Sequence, residues 1–124
     1  MKPAFEQEIY RLHSRLCAGL ADPKRILLLY QIAEKPQCVN DLAEALGIPQ
    51  PTASRHLKNL RERGMVFTER DAQSVIYSIA DQRIITALNL LREVLADSLA
   101  NQASLSRSVS EAQAAASKSM EKQS

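Results

Sequence analysis

The hydrophobic period of this 124-residue chain changes twice. Up to Gly64 the apolar residues recur at three- and four-residue steps, the spacing of one helix face. From Met65 to Arg70 and from Val75 to Ile79 the runs turn β-rich, separated by Asp71-Ala72-Gln73-Ser74. From Asp81 the helical steps return. One hairpin set among helices predicts a mainly α fold with a β-hairpin wing.

Phe5, Ile9, Leu12, Leu16 and Leu20 step by four, three, four and four, which predicts a first helix ending near Gly19. Asp22-Pro23 reads as the next helix start, because Asp caps and Pro is tolerated at the first helical position. That helix runs to about Glu34, with Ile26, Leu27, Leu29, Tyr30 and Ile32 apolar, and Lys35-Pro36 stops it. Val39 to Leu46 is a short third helix with Leu42, Ala43 and Leu46 inward and Gly47 as a left-handed cap. A fourth starts near Gln50, runs to about Arg63 with Leu57 and Leu60 as core contacts, and is closed by Gly64. Two short helices joined by a glycine turn form a helix-turn-helix. Asp81 caps a last helix, whose Ile84, Leu88, Leu91, Leu95 and Leu99 repeat the four-three-four-four steps. Residues 1–100 read as one domain. Residues 101–124, with seven Ser and five Ala, read as a tail that is either disordered or a fraying helix through Ala114-Ala115-Ala116.

The stretch from Gly47 to Lys58 is poor core material, since Ile48 and Leu57 are its only bulky apolar residues. It suits a surface that touches something polar. A helix that enters a DNA groove presents short donors and acceptors in its first turns and longer cations for phosphates. Gln50, Thr52 and Ser54 supply the first; Arg55, His56 and Lys58 supply the second, continued by Arg61 and Arg63. From residue 49 to 70 five cations face two anions, a surplus of three on a chain whose whole formal charge is +2. Net charge alone says little about a polyanionic partner; its placement carries the argument.

Hydrophobic residues make up 45% of the chain, but aromatics only 4% and there is no Trp, so the core must be Leu, Ile, Val and Ala. The first ten residues lack the apolar run of a signal peptide, and the longest apolar run, Ile26 to Tyr30, is far too short to span a bilayer. A cytoplasmic protein with no membrane partner is expected. Two cysteines do not make a disulfide scaffold for this length. No Gly-rich phosphate loop, metal cluster or nucleophile–base pair is present, and Glu6, Glu8, Glu34, Asp41 and Glu44 stand singly, so no enzyme is expected.

Four segments in order carry a family resemblance: Gly19-Leu20-Ala21-Asp22-Pro23-Lys24-Arg25, Asp41-Leu42-Ala43-Glu44-Ala45-Leu46-Gly47, Gln50-Pro51-Thr52-Ala53-Ser54-Arg55-His56-Leu57, and the run from Arg70 to Tyr77. Over roughly residues 5 to 99 the chain resembles the ArsR/SmtB family of winged helix-turn-helix repressors. The resemblance implies a homodimer on operator DNA with an imperfect inverted repeat, released by an inducer, with the first and last helices building the dimer interface. On this reading Gln50, Thr52, Ser54 and Arg55 meet base edges, while His56, Lys58, Arg61 and Arg70 meet phosphates. Lys24 and Arg25 either meet phosphate or are solvated, and His56 either meets phosphate or packs against the preceding helix. The leucine stripes are either core or dimer seam, and a seam suits two long stripes on a small domain.

The chain departs from the family pattern in four places. Pro49 stands where many relatives have a capping Ser, a loss worth about 1 kcal/mol unless replaced. Ala72 stands in the wing turn where relatives usually have Gly, and is strained if the turn needs positive φ. The family's Cys-Val-Cys-Asp-Leu metal box reads Cys38-Val39-Asn40-Asp41-Leu42, and Arg83 stands where a His is common on the last helix. Zinc needs about four N, S or O ligands, so no metal site and no cofactor are expected. Cys17 and Cys38 are the sensing candidates, as a disulfide, a persulfide or a two-sulfur metalloid site. The alternative is that both are small buried hydrophobes and the inducer is not thiol-reactive. A winged helix that docks a protein instead of DNA is the rival function.

Overall fold

The computed structural model describes residues 1–123, with side chains through residue 117. Helix α1, Pro3–Leu12, is followed by a π turn, His13–Cys17, and a 3-10 turn, Ala18–Ala21. Then come α2, Pro23–Glu34; the short strand β1, Gln37–Cys38; α3, Val39–Leu46; α4, Gln50–Glu62; strands β2, Val66–Asp71, and β3, Ser74–Ile79; and α5, Arg83–Gln123. Two compact units result, Met1–Thr86 and the chain from Ala87 on. Helix α5 continues past Asn101 without a break.

The boundaries of the middle helices follow local chemistry. The Asp22 carboxylate accepts a 2.8 Å hydrogen bond from the Lys24 N–H, with Pro23 in the first turn of α2. Helix α3 ends with Gly47 at φ 66, Gly47 N–H donating to Glu44 O and Ile48 N–H to Ala43 O, a Schellman pair. Helix α4 ends the same way: Gly64, at φ 73, donates to Arg61 O, and Met65 donates to Leu60 O. The core of this unit is aliphatic: Leu28, Leu29 and Ile32 of α2, Leu42 and Ala43 of α3, Ala53, Leu57 and Leu60 of α4, with Met65 and Val66 leading into the wing. On α2 the inward face is Leu28, Leu29 and Ile32, while neighbouring Leu27 is 55% exposed.

The sheet is antiparallel in the order β1-β3-β2. Val66 faces Ile79 and Asp71 faces Ser74, so the wing turn is only Ala72-Gln73, two residues shorter than expected. Strand β1 was not foreseen; Gln37 pairs with Tyr77 and Cys38 with Ile76. Buried Gln37 donates its side-chain N–H groups to the carbonyls of Gln31 and Lys35, closing the end of α2 ahead of Pro36. The first helix is not the single smooth rod that its leucine steps predict, because Leu16 falls in the π turn, where the pitch changes. Phe5, Ile9 and Leu12 on α1, and Leu91, Leu95 and Leu99 on α5, expose apolar faces.

Candidate nucleic-acid interface

Helix α4 divides by side. Ala53, Leu57 and Leu60 are fully buried, which turns Gln50, Ser54, Arg55, Lys58 and Arg61 outward, all exposed; Thr52 is half-buried. The inner side holds the helix to α3 and β2, and the outer side shows polar groups and three cations, Arg55, Lys58 and Arg61, with Glu62 exposed at the helix end. No side chain caps the start of α4; Pro49 takes the cap position with extended backbone, and Thr52 and Ala53 donate to Pro49 O. The missing Ser is therefore not replaced by another side chain, although Pro51 in the first turn has no N–H that needs a partner. Arg70 lies exposed on β2 opposite Val75, one pair from the wing turn.

His56 goes elsewhere. Its side chain is only 15% exposed and meets the start of α2, with Nε2 3.9 Å from Asp22 Oδ2 and Nδ1 accepting from Arg25 Nη1 at 3.4 Å. Accepting at Nδ1 places the proton on Nε2, the atom that faces the carboxylate. His56 thus packs on the start of α2, not on α3, the helix that precedes α4. Asp22 has its carboxyl held below the ordinary value, chiefly by the Lys24 backbone N–H, with the charges of Arg25 and Lys24 adding to it. Arg25 is likewise engaged within the protein, donating to Gly19 O and Ala18 O, while Lys24 stays exposed.

Cys17 is exposed in the π turn and Cys38 half-buried at the start of α3; both are free thiols. Among the described residues no three His, Cys, Asp or Glu side chains gather into a metal-binding group. Nor, among them, is any helix long and apolar enough to cross a membrane.

The sequence reading missed the work of Arg63 and Asn59. Arg63 reaches back to the carbonyls of Ser14 and Arg15 and donates to Asn59 Oδ1 at 2.8 Å. The i, i+4 spacing of Asn59 and Arg63 was the available signal.

These features meet in a known pattern. A family model described as bacterial regulatory protein, arsR family, matches residues 22–67. The nodulation protein NolR of Rhizobium meliloti is 30% identical over 95 residues, 77% of this chain and 78% of NolR. The chain belongs to the ArsR family of bacterial regulatory proteins. The crystal structure of NolR from Sinorhizobium fredii shares the ArsR-type winged helix-turn-helix with a TM-score of 0.68 at 31% identity, covering 76% of this chain and 93% of that one. The HTH-type transcriptional repressor SmtB of Mycobacterium tuberculosis strain H37Rv is 40% identical over 78 residues, 63% of this ArsR-family chain. The chain spans only 58% of the length of SmtB.

Proposed function

We propose that this ArsR-family chain is a homodimeric repressor that binds operator DNA. The observation that carries the reading is the outer side of α4, with Gln50, Ser54, Arg55, Lys58 and Arg61 exposed above a fully buried seam. Each subunit lays α4 in a major groove: Gln50, Thr52, Ser54 and Arg55 meet base edges, and Lys58, Arg61 and Arg70 set register on phosphates. The exposed apolar faces of α1 and of the first half of α5 meet those of a second copy. Two-fold symmetry then asks for an imperfect inverted repeat in the operator. The naming of SmtB as a transcriptional repressor agrees with this reading.

The test is selection of duplexes from genomic fragments, followed by a salt titration and a sedimentation measurement of mass. Affinity should fall steeply with salt, as phosphate contacts require, and the protein should sediment as a dimer. Binding that ignores salt would favour a protein partner instead, and a monomer at working concentration would remove the two-fold reading.

For release we propose thiol chemistry at Cys17 or Cys38, by oxidant, persulfide or metalloid. The support is that Cys17 is exposed and both thiols are free. Operator binding by Cys17→Ser and Cys38→Ser, with and without oxidant, persulfide or arsenite, decides it. Two variants that respond as the wild type does make both cysteines structural.

A further inference from the structure

Between residues 13 and 21 the backbone passes from a π turn to a 3-10 turn. Such a change leaves carbonyl oxygens without the donor of a regular helix. Two guanidinium groups, on Arg25 of α2 and Arg63 at the end of α4, donate to four carbonyls of this stretch. Arg25 Nε donates to Gly19 O at 2.7 Å and its Nη2 to Ala18 O at 3.1 Å. Arg63 Nη1 donates to the carbonyls of Ser14 and Arg15, the second at 3.5 Å.

Each guanidinium also holds one side chain of α4. Arg25 Nη1 donates to His56 Nδ1 at 3.4 Å, and Arg63 Nε donates to Asn59 Oδ1 at 2.8 Å. His56 and Asn59 lie one helical turn apart and are half-buried, while Arg55 and Lys58 beside them are exposed. The flank that carries both ties is thus not the one offered to a groove. Arg suits this work because its donors form a rigid fork, and a charged donor makes the stronger hydrogen bond.

We propose that Arg25 and Arg63 are positioning residues that tie the inner flank of α4 to the joint at residues 13–21 and so set the angle at which Arg55 meets DNA. This rests on the DNA-binding reading above. A shift of the joint moves its four carbonyls, and the two guanidinium groups carry that shift to α4. The joint contains Cys17, so a change at that thiol has a direct mechanical route to the groove-facing side.

The test compares full-length wild type with Arg63→Gln, Asn59→Ala and Arg25→Lys. The probes are the duplex that wild type selects from a random library and a scrambled duplex of equal length. Each variant should lose about tenfold on the selected duplex, the size of one charged hydrogen bond, and keep the wild-type affinity and salt slope on the scrambled one. The double variant Arg63→Gln with Asn59→Ala should lose no more than either alone, since both break one link. In the free protein, amide exchange across residues 50–62 should quicken while α2 keeps its protection. Unchanged selectivity, or equal loss on both duplexes, overturns the proposal. Should Arg63→Gln not fold, Asn59→Ala decides the matter alone. A wild type that selects no duplex sinks the DNA reading; exchange then judges the tie, and unchanged exchange in Asn59→Ala overturns it.

Discussion

Gly19 lies so close to Met65 that a Cβ built on it would stand 2.9 Å from the Met65 sulfur, and as near to Arg63 Cδ. Neither neighbour yields freely. Met65 is fully buried, and Arg63 is held by its hydrogen bonds to Asn59 and Ser14. Overpacking of this kind costs about 1–3 kcal/mol. Ala in place of Gly returns up to about 1 kcal/mol of helix propensity. Gly19→Ala should therefore lower stability by about 1 kcal/mol in urea unfolding. A more stable variant would show that the joint can open without resistance.

The wing turn offers the opposite case. Ala72 sits at φ 54, the only non-Gly residue with positive φ among those described. Its two-residue loop has positive φ at the first central position alone, the sign pattern of a type II′ hairpin, where Gly is preferred. The left-handed region costs an L residue about 1–2 kcal/mol, and the added freedom of Gly in the unfolded chain takes back about 0.4–1 kcal/mol. Ala72→Gly should thus stabilise by about 0.5 kcal/mol, read as a higher urea midpoint with unchanged slope. Ala72→Val should lower the midpoint. If Gly lowers it as well, the turn does not hold Ala72 as described.

How much of this was legible varies by cause. The limits of α2, α3 and α4 were written in Asp22-Pro23, Lys35-Pro36, Gly47 and Gly64, because caps and breakers act over one or two residues. Leu28 was hidden by its neighbours: when Ile26 through Tyr30 are all apolar, periodicity cannot choose the inner face. Strand β1 exists because Gln37 and Cys38 pair with Tyr77 and Ile76, far along the chain, and no local signal announces it. His56 was readable in part, since residues 53, 56, 57 and 60 share one side of a helix. The cationic run around it drew the reading outward. The two arginine ties depend on contacts across up to 49 residues, beyond any window of periodicity.

Asp81 predicts a pH dependence. Its carboxylate accepts from the Arg83 guanidinium at 2.7 Å and from the Arg83 N–H at 2.9 Å, and these bonds hold its pKa at about 2 against the ordinary 3.8. A carboxyl whose folded value is depressed adds stability above the unfolded value and loses it as pH falls towards the folded one. The contribution is complete above 3.8 and fades down to about 2. Asp81→Asn can still accept from the Arg83 N–H but no longer titrates. Between those two pH values the urea midpoint of wild type should fall more steeply than that of Asp81→Asn. Parallel curves would show that the Asp81–Arg83 pair does not persist in solution.

The division of labour on the outer side of α4 makes the most direct prediction. Arg55 and Lys58 are three residues apart and both exposed, but the reading gives them different partners. Arg55 stands nearer the start of the helix, where a groove-binding helix meets base edges; Lys58 lies a turn later, where the groove wall brings phosphates. A bidentate Arg contact to guanine carries about 1–3 kcal/mol of discrimination. Arg55→Ala should therefore weaken the selected duplex far more than a scrambled one and relax base choice at one position. Lys58→Ala should weaken both alike and reduce the salt slope by about one. Titrations of both variants on both duplexes, at several salt concentrations, separate the roles. An equal loss on the two duplexes for Arg55→Ala would move that residue from base reading to phosphate binding. A selective loss for Lys58→Ala would shift the bases it reads one turn along the helix.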